Sequence, residues 1–261
     1  MNKKSLDSIL SNVSIVFGTY SNNIVIGGGI ALLVYRYYFA EGYKLLKPAV
    51  TKDLDLLIPR KLNSEELLSK RLTEFGFKRT TLSLETPPVE SYSALIEGEE
   101  IILEFLTDRR SRGDNNKNVL VGGISAQPLS YIEMSLENPI SFYVGNKLHL
   151  QVVSPERWLF HKALTFTKRR SKAKLCKDLY GIWYVGTQLG VFSAETINKL
   201  SIVLQDKPSS WRTKIRKELS AWISEASPAE WRMLEEQDPA QSLSKLSFID
   251  FIEKHLLDET K

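Results

Sequence analysis

Hydrophobic positions near the start of the chain recur at helical spacing. Leu6, Leu10, Val13 and Phe17 fall on one stripe, which predicts a helix over residues 5–17. Farther along, apolar residues come in short runs with the length and composition of strands. Five such runs are predicted, at residues 78–84, 92–96, 100–106, 140–144 and 147–153.

Two more helices are predicted between the strands. Asn63 followed three residues later by Glu66 is typical of a capping arrangement, so a helix is expected over residues 64–75. Pro128 suits the first turn of a short helix that ends at Leu136, because a first-turn N–H has no partner within the helix.

The pattern changes at residue 154, after which helical signals dominate and no convincing strand follows. Helix starts are predicted at Ser154–Pro155, Ser193 and Ser227–Pro228. All five tryptophans lie in this part, at spacings that favour core packing over a platform for stacking bases. The sequence therefore predicts an α+β (α/β) protein, with a mixed-sheet domain in residues 1–153 and a helical domain in residues 154–261.

Composition limits the class of protein only loosely. The net charge of +4 permits an anionic partner without requiring one. The single cysteine, Cys176, excludes an internal disulfide and fits a reducing cytoplasm. The longest uncharged apolar stretch, residues 24–35, is shorter than the roughly 20 residues of a membrane helix, and no secretory signal is evident. We expect a cytoplasmic protein with no membrane partner.

Candidate chemistry begins with Asp53 and Asp55, which lie two residues apart in an apolar run with strand character. Side chains alternate across a strand, so both carboxylates point to the same face. Hard divalent cations such as Mg²⁺ are held by one or two such carboxylates together with substrate phosphates. Because acidic pairs are also common at strand ends, a pair without a metal remains an alternative.

Two further features bear on this site. Gly27, Gly28 and Gly29 join a short apolar run to a helical segment, where backbone N–H groups can approach a phosphate; a simple tight turn is the alternative. Glu104 is a lone carboxylate within the strand at 100–106. It is either a third metal ligand, since a buried unpaired carboxylate is costly, or a solvent-facing residue on a half-exposed strand.

Together, the glycine turn, the Asp-x-Asp strand and the later strand acid resemble the DNA-polymerase-β-like nucleotidyltransferase superfamily. The resemblance implies that Gly27–Gly29 hold the triphosphate of an NTP and that Asp53, Asp55 and Glu104 bind two Mg²⁺ (or Mn²⁺) ions. The form Thr51-Lys52-Asp53-Leu54-Asp55-Leu56 is similar to bacterial stand-alone members that include abortive-infection-type toxins. It implies a nucleotide contact by Thr51.

A second block, residues 154–162 with residues 174–179, is similar to an uncharacterised branch of that group, and the likeness covers about residues 20–190. It implies that Lys162 and Lys174 contact the nucleotide and that the helical domain completes the cleft. Asp178 is expected either to position the attacking hydroxyl or to anchor a lysine. Residues 168–177 carry six positive charges in ten residues, either as a solvated face or as a contact for a phosphate or RNA backbone.

The function implied is a metal-dependent nucleotidyltransferase that moves a nucleoside monophosphate from an NTP to an acceptor hydroxyl. The basic segment and the toxin-like resemblance favour RNA, such as a tRNA 3′ end, as acceptor, and a role as a toxin or phage-defence effector controlled by an antitoxin or regulatory protein. The alternatives are a small-molecule nucleotidyltransferase, a catalytically silent nucleotide- or RNA-binding partner subunit, and a basic nucleic-acid-binding regulator.

Overall fold

The computed structural model describes residues 1–40, 53–62, 66–81, 89–110, 118–145 and 147–258. It divides into two compact units. The first comprises Met1–Val34 with Val50–Ser154, and the second comprises Tyr35–Ala49 with Pro155–Lys261. The functional domains expected at residues 1–153 and 154–261 stay a prediction, from which this division differs at residues 35–49 and at residue 154.

The first unit is built on a mixed sheet. Its strands are β1 (Val25–Ile26), β2 (Asp53–Leu57), β3 (Lys78–Thr81), β4 (Glu90–Ile96), β5 (Glu99–Asp108), β6 (Val119–Val121), β7 (Ile124–Leu129), β8 (Ile140–Val144) and β9 (Leu148–Val152). The order across the sheet is β3-β4-β5-β2-β1-β9-β8, and β7 pairs with both β5 and β6. Among the strands formed by the described residues, the β1–β9, β2–β5 and β5–β7 pairs are parallel and the other pairs are antiparallel.

In the described part of this unit the sheet is accompanied by the α-helices α1 (Lys3–Phe17), α2 (Gly28–Val34), α3 (Leu68–Glu74) and α4 (Ile132–Leu136), and a 3₁₀ helix forms Gly18–Asn22. The first confirms the predicted stripe, because Leu6, Leu10, Val13 and Phe17 are all fully buried. Helix α1 packs against β4, β8 and β9, so its apolar face contributes directly to the core of this unit.

The regular secondary structure of the second unit, within its described residues, is all helical. Its helices are α5 (Pro155–Thr165), α6 (Lys172–Thr187), α7 (Val191–Asp206), α8 (Ser209–Glu225), α9 (Pro228–Glu235) and α10 (Lys245–Ile252). A 3₁₀ turn, Phe166–Lys168, joins α5 to α6, and π-helical turns form Tyr35–Phe39 and Glu253–Leu257. A mixed sheet in one unit and helices in the other confirm the predicted α+β fold class. No helix in the described part of the chain is long and apolar enough to span a membrane.

Three predicted details are wrong. Pro128 lies in strand β7, where β6 pairs with Ile124–Ala126 and no described residue forms a ladder with Pro128 on that side. Helix α3 begins at Leu68 without a side-chain cap, so Glu66 does not cap it; residues 63–65 lie outside the described part. Helix α7 begins before Ser193, whose hydroxyl instead donates to the carbonyl of Val185.

Aromatic side chains form the core of the helical unit. Three rings pack against one another, those of Trp222, Trp231 and Phe248. Their centroids lie 4.6 to 6.0 Å apart and their planes are steeply inclined. Trp158 and Trp183 are also buried. The ring contacts and the burial confirm the prediction of core packing for these four of the five tryptophans. The predicted start of α9 is confirmed too, by a capping box in which Ser227 and Glu230 exchange hydrogen bonds.

If the aromatic cluster holds this unit together, Phe248→Ala should lower the free energy of unfolding by about 3–5 kcal/mol, because a fully buried ring is replaced by a cavity. The matched control is Leu246→Ala on the same helix, which is 80% exposed and should change stability by less than about 0.5 kcal/mol. Urea denaturation followed by tryptophan fluorescence measures both. Equal effects of the two substitutions would contradict the assignment.

Candidate active site

The register between β2 and β5 places three carboxylates on one face of the sheet. Asp55 pairs directly with Glu104, and Asp53 pairs with Ile102. Residues paired across two strands point to the same side, and so do residues two apart along a strand. The half-exposed positions Asp53, Asp55 and Glu104 therefore share a face.

The opposite face of the same two strands belongs to the core. Leu54, Leu56, Leu103 and Phe105 are all buried. This strict alternation fixes the side on which the acids lie, because a slip of one residue would exchange the carboxylates with the core leucines.

The glycine turn lies against this acid face. The N–H of Gly27 donates to the carbonyl of Asp55 at 2.8 Å, which continues the antiparallel pairing of β1 with β2. Gly28 follows with φ +54°, and a Cβ on it would lie 1.7 Å from Oδ2 of Asp55. Only glycine fits both the backbone angle and the space. The glycine motif and the Asp-x-Asp motif, which are separate in the sequence, are thus in direct contact.

The oxygen donors on this face are of the type that Mg²⁺ and Mn²⁺ prefer. Among the described residues, no three His, Cys, Asp or Glu side chains already converge as a complete metal-binding group. The register aligns the backbones of Asp53, Asp55 and Glu104, so the three carboxylates would reach a shared ion by side-chain rotation. The three residues therefore fit a Mg²⁺ or Mn²⁺ ion in the type of their donor atoms and in their position on the sheet. Thr51, the remaining residue expected here, lies outside the described residues.

The second unit holds the other predicted site residues. Asp178 on α6 is buried and accepts from Nζ of Lys162 at 2.8 Å and from Nε of Arg169 at 2.6 Å. A second nitrogen of Arg169 lies 3.3 Å from Oδ1. Burial acts to raise the pKa of Asp178, but the charges of Lys162 and Arg169 outweigh it and the pKa is lowered. Asp178 is therefore an ionised anchor for two cations, which agrees with the second of its two expected roles.

Lys162 is held from two sides. Besides the ion pair with Asp178, its ammonium group lies 5.5 Å from the ring centre of Trp158, one helical turn earlier on α5. The side chain is only 12% exposed. Lys174 differs from it, because this residue is exposed on the first turn of α6. The structure thus brings Lys162 and Asp178 together and leaves Lys174 on the surface.

Sequence reasoning missed two of these contacts. Trp158 and Lys162 are four residues apart on a helix, a spacing that places side chains on one face, so their contact was open to prediction. The pairing of Arg169 with Asp178 crosses from the segment before α6 onto the helix, and no regular spacing indicates it.

Comparison with known proteins identifies the family of this chain. Residues 9–189 match the sequence profile of a family described as nucleotidyltransferase. The chain belongs to the nucleotidyltransferase family. The match spans every predicted site residue of this nucleotidyltransferase, from Gly27 to Asp178. It confirms the family-level part of the predicted resemblance.

Other comparisons add less to what is known of this nucleotidyltransferase. A solved structure of an antigenic nucleotidyltransferase-like protein from Paracoccidioides brasiliensis is similar at 17% identity and a TM-score of 0.45, over 81% of this chain and 93% of that chain. We base no conclusion on a likeness of this size. Curated proteins gave no match.

The contact between Gly28 and Asp55 predicts a local effect on ligand binding. Gly28→Ala should displace the Asp55 carboxylate and weaken Mg²⁺-dependent NTP binding at least about tenfold, or about 1.4 kcal/mol. Gly145→Ala is the matched control, because its φ of +55° imposes the same strain but nothing lies within 4 Å of the added methyl. Calorimetric titration of both variants with NTP and Mg²⁺ measures the two affinities. Equal losses would show that backbone strain, not the contact with Asp55, is responsible.

The pKa of Asp178 predicts how acid affects stability. Its pKa is lowered in the native state, so its contribution to stability is present above the ordinary aspartate pKa of about 3.9 and is lost as the pH falls through the native value. Asp178→Asn removes the anion and leaves two cations together. This should lower the free energy of unfolding by about 3 kcal/mol at neutral pH.

Urea denaturation at neutral pH and at pH values below about 4 measures both effects. Asp178→Asn should lose less stability than the wild type on acidification, because it has no carboxylate to protonate. Equal acid sensitivity of the two proteins would contradict the assigned role of Asp178.

Proposed function

We propose that this chain is a metal-dependent nucleotidyltransferase that moves a nucleoside monophosphate from an NTP to an acceptor hydroxyl. The observation that supports it best is the paired position of Asp55 and Glu104 on one face with Asp53, beside the turn at Gly28. A phosphate held by that turn would lie next to the three carboxylates. Family membership supports the same class of reaction.

Asp53, Asp55 and Glu104 would hold Mg²⁺ or Mn²⁺, which when bound lowers the pKa of an attacking hydroxyl and neutralises charge on phosphate oxygens. The turn at Gly27–Gly29 orients the triphosphate. The acceptor oxygen attacks the α-phosphorus in line, a new P–O bond forms, and the bond to the β-phosphate breaks to release pyrophosphate; the hydroxyl proton passes to solvent. The protein contributes mostly positioning and charge stabilisation.

We also propose that the nucleotide is contacted by Lys162 and Lys174. Lys162 is oriented by Asp178 and Trp158, so its ammonium group has a fixed position from which to contact a phosphate oxygen. Lys174 offers an unconstrained charge on the surface of α6. If either residue binds the triphosphate, Lys162→Met or Lys174→Met should weaken NTP binding whether or not an acceptor is present.

The acceptor that we propose is RNA, and a tRNA 3′ end is a reasonable first substrate to try. The support for RNA is the basic segment 168–177, in which Arg170 and Lys174 are exposed cations with no ion-pair partner among the described residues. An RNA-directed transferase would impair translation. From this we propose a role as a toxin or phage-defence effector that is restrained by an antitoxin or another regulatory protein.

The decisive experiment incubates the protein with each α-labelled NTP, Mg²⁺ and total RNA, and follows label into RNA. Glu104→Gln should reduce transfer at least about 100-fold, since changes even in the surroundings of metal ligands cost about 10–100-fold. Glu100→Gln is the control, because Glu100 is four residues away on the same strand and face but exposed. Equal activity of the two variants would refute the proposed site.

Other outcomes separate the alternatives. Label in a small molecule but not in RNA would indicate a small-molecule transferase, and NTP binding without transfer would indicate a silent binding subunit. Expression of the wild type alone should slow bacterial growth, and Asp55→Asn should restore it. Unaffected growth with soluble, NTP-binding protein would count against a constitutively active toxin.

A further inference from the structure

The cations of the basic segment, residues 168–177, differ in whether they have a carboxylate partner. Arg169 is bound to Asp178, and Lys172 lies 3.0 Å from Oε1 of Glu230 on α9. Both pairs fix the segment to the body of the second unit. Arg170 and Lys174 are exposed and have no carboxylate partner among the residues described.

Helix α8 extends this positive surface from a distant part of the sequence. The hydroxyl of Thr167, just before the basic segment, donates to Oε2 of Glu218 on α8 at 2.7 Å. The other oxygen of Glu218 accepts from Lys214 on the same helix. The face of α8 that carries Lys214 and Glu218 is thus next to the start of the basic segment.

Lys217 lies on the same side of α8, one residue before Glu218 and three after Lys214. It is exposed and has no ion-pair partner within the described part of the chain. Residues 212–218 contain four cations and one carboxylate, and that carboxylate is already engaged by Lys214 and Thr167. Glu230 is likewise engaged, by Lys172 and by Ser227. The nearby acids therefore leave Arg170, Lys174 and Lys217 uncompensated.

We propose that the surface formed by the basic segment 168–177 and the adjoining face of α8 binds the phosphate backbone of a nucleic acid. This rests on the proposed function and assigns Arg170 and Lys217 as cations that contact the RNA acceptor, with Lys174 as a third if Lys174→Met leaves NTP binding unchanged. Uncompensated charges on two separate elements suit a chain of phosphates, because each cation that contacts a phosphate adds to the electrostatic attraction. Glu218 is a positioning residue that fixes α8 beside Thr167.

The test measures binding without requiring chemistry. A fluorescein-labelled oligoribonucleotide is titrated with the full-length chain over a range of KCl concentrations, and the slope of log K against log salt is determined by anisotropy. Lys217→Gln should reduce the magnitude of that slope by about 0.7, the value for one phosphate contact to a single strand. The double variant Arg170→Gln with Lys174→Gln should reduce it by about 1.4.

The matched control is Lys199→Gln on α7, which removes the same charge from another exposed position of the same unit. It should leave the slope unchanged. If Lys217→Gln behaves like Lys199→Gln, α8 is not part of the surface and the proposal fails. If polyglutamate competes as well as unlabelled RNA at equal charge, the surface is a general polyanion site and the assignment to nucleic acid fails.

Failure of this proposal can be distinguished from failure of the proposed reaction. If the variants have the same salt slope of RNA binding as the wild type and nucleotidyl transfer is active, only the proposed binding surface is refuted. The predicted slope changes without any transfer to RNA would support the surface and overturn the reaction.

Discussion

The parallel pairing of β2 with β5 is the constraint on which the candidate active site depends. It joins Asp55 to Glu104 across two strands that are far apart in sequence, and it does so only in one register. Buried leucines on the opposite face hold that register, because any slip by one residue would bury carboxylates and expose the core. The chemistry of the acid face is therefore secured by hydrophobic packing behind it.

In the second unit, one buried carboxylate has a comparable organising role. Asp178 binds a lysine from α5 and an arginine from the segment before α6, so three separate parts of the chain meet at one anion. Because removal of the anion would leave two cations close together in a mostly buried place, the arrangement is more costly to break than an exposed ion pair. It keeps Lys162 in one position and holds Arg169, at the start of the basic segment, against α6.

Much of this was available from the sequence, and the exceptions have physical causes. The stripe of α1 and the alternation around Asp53 and Asp55 are local patterns, and both were predicted. The contact of Glu104 with Asp55 depends on which strands pair, and short-range spacing carries no information on that. The helix predicted at Pro128 rests on a single proline, whereas the alternating burial of β7 and the Gly122–Gly123 turn before it, a common hairpin connection, are the local signals of the strand that the structure shows.

The pairing of β1 with β9 has a consequence for how the protein is made. The strand that leads into the glycine turn is joined on one side to β2 and on the other to β9, which lies more than 120 residues later. Contacts of such long sequence separation form late, after local hairpins such as β4–β5. In a chain still emerging from the ribosome, the strand before the glycine turn therefore lacks one of its two neighbours until β9 has been synthesised, so this part of the candidate site is completed only after more than half of the chain has been made.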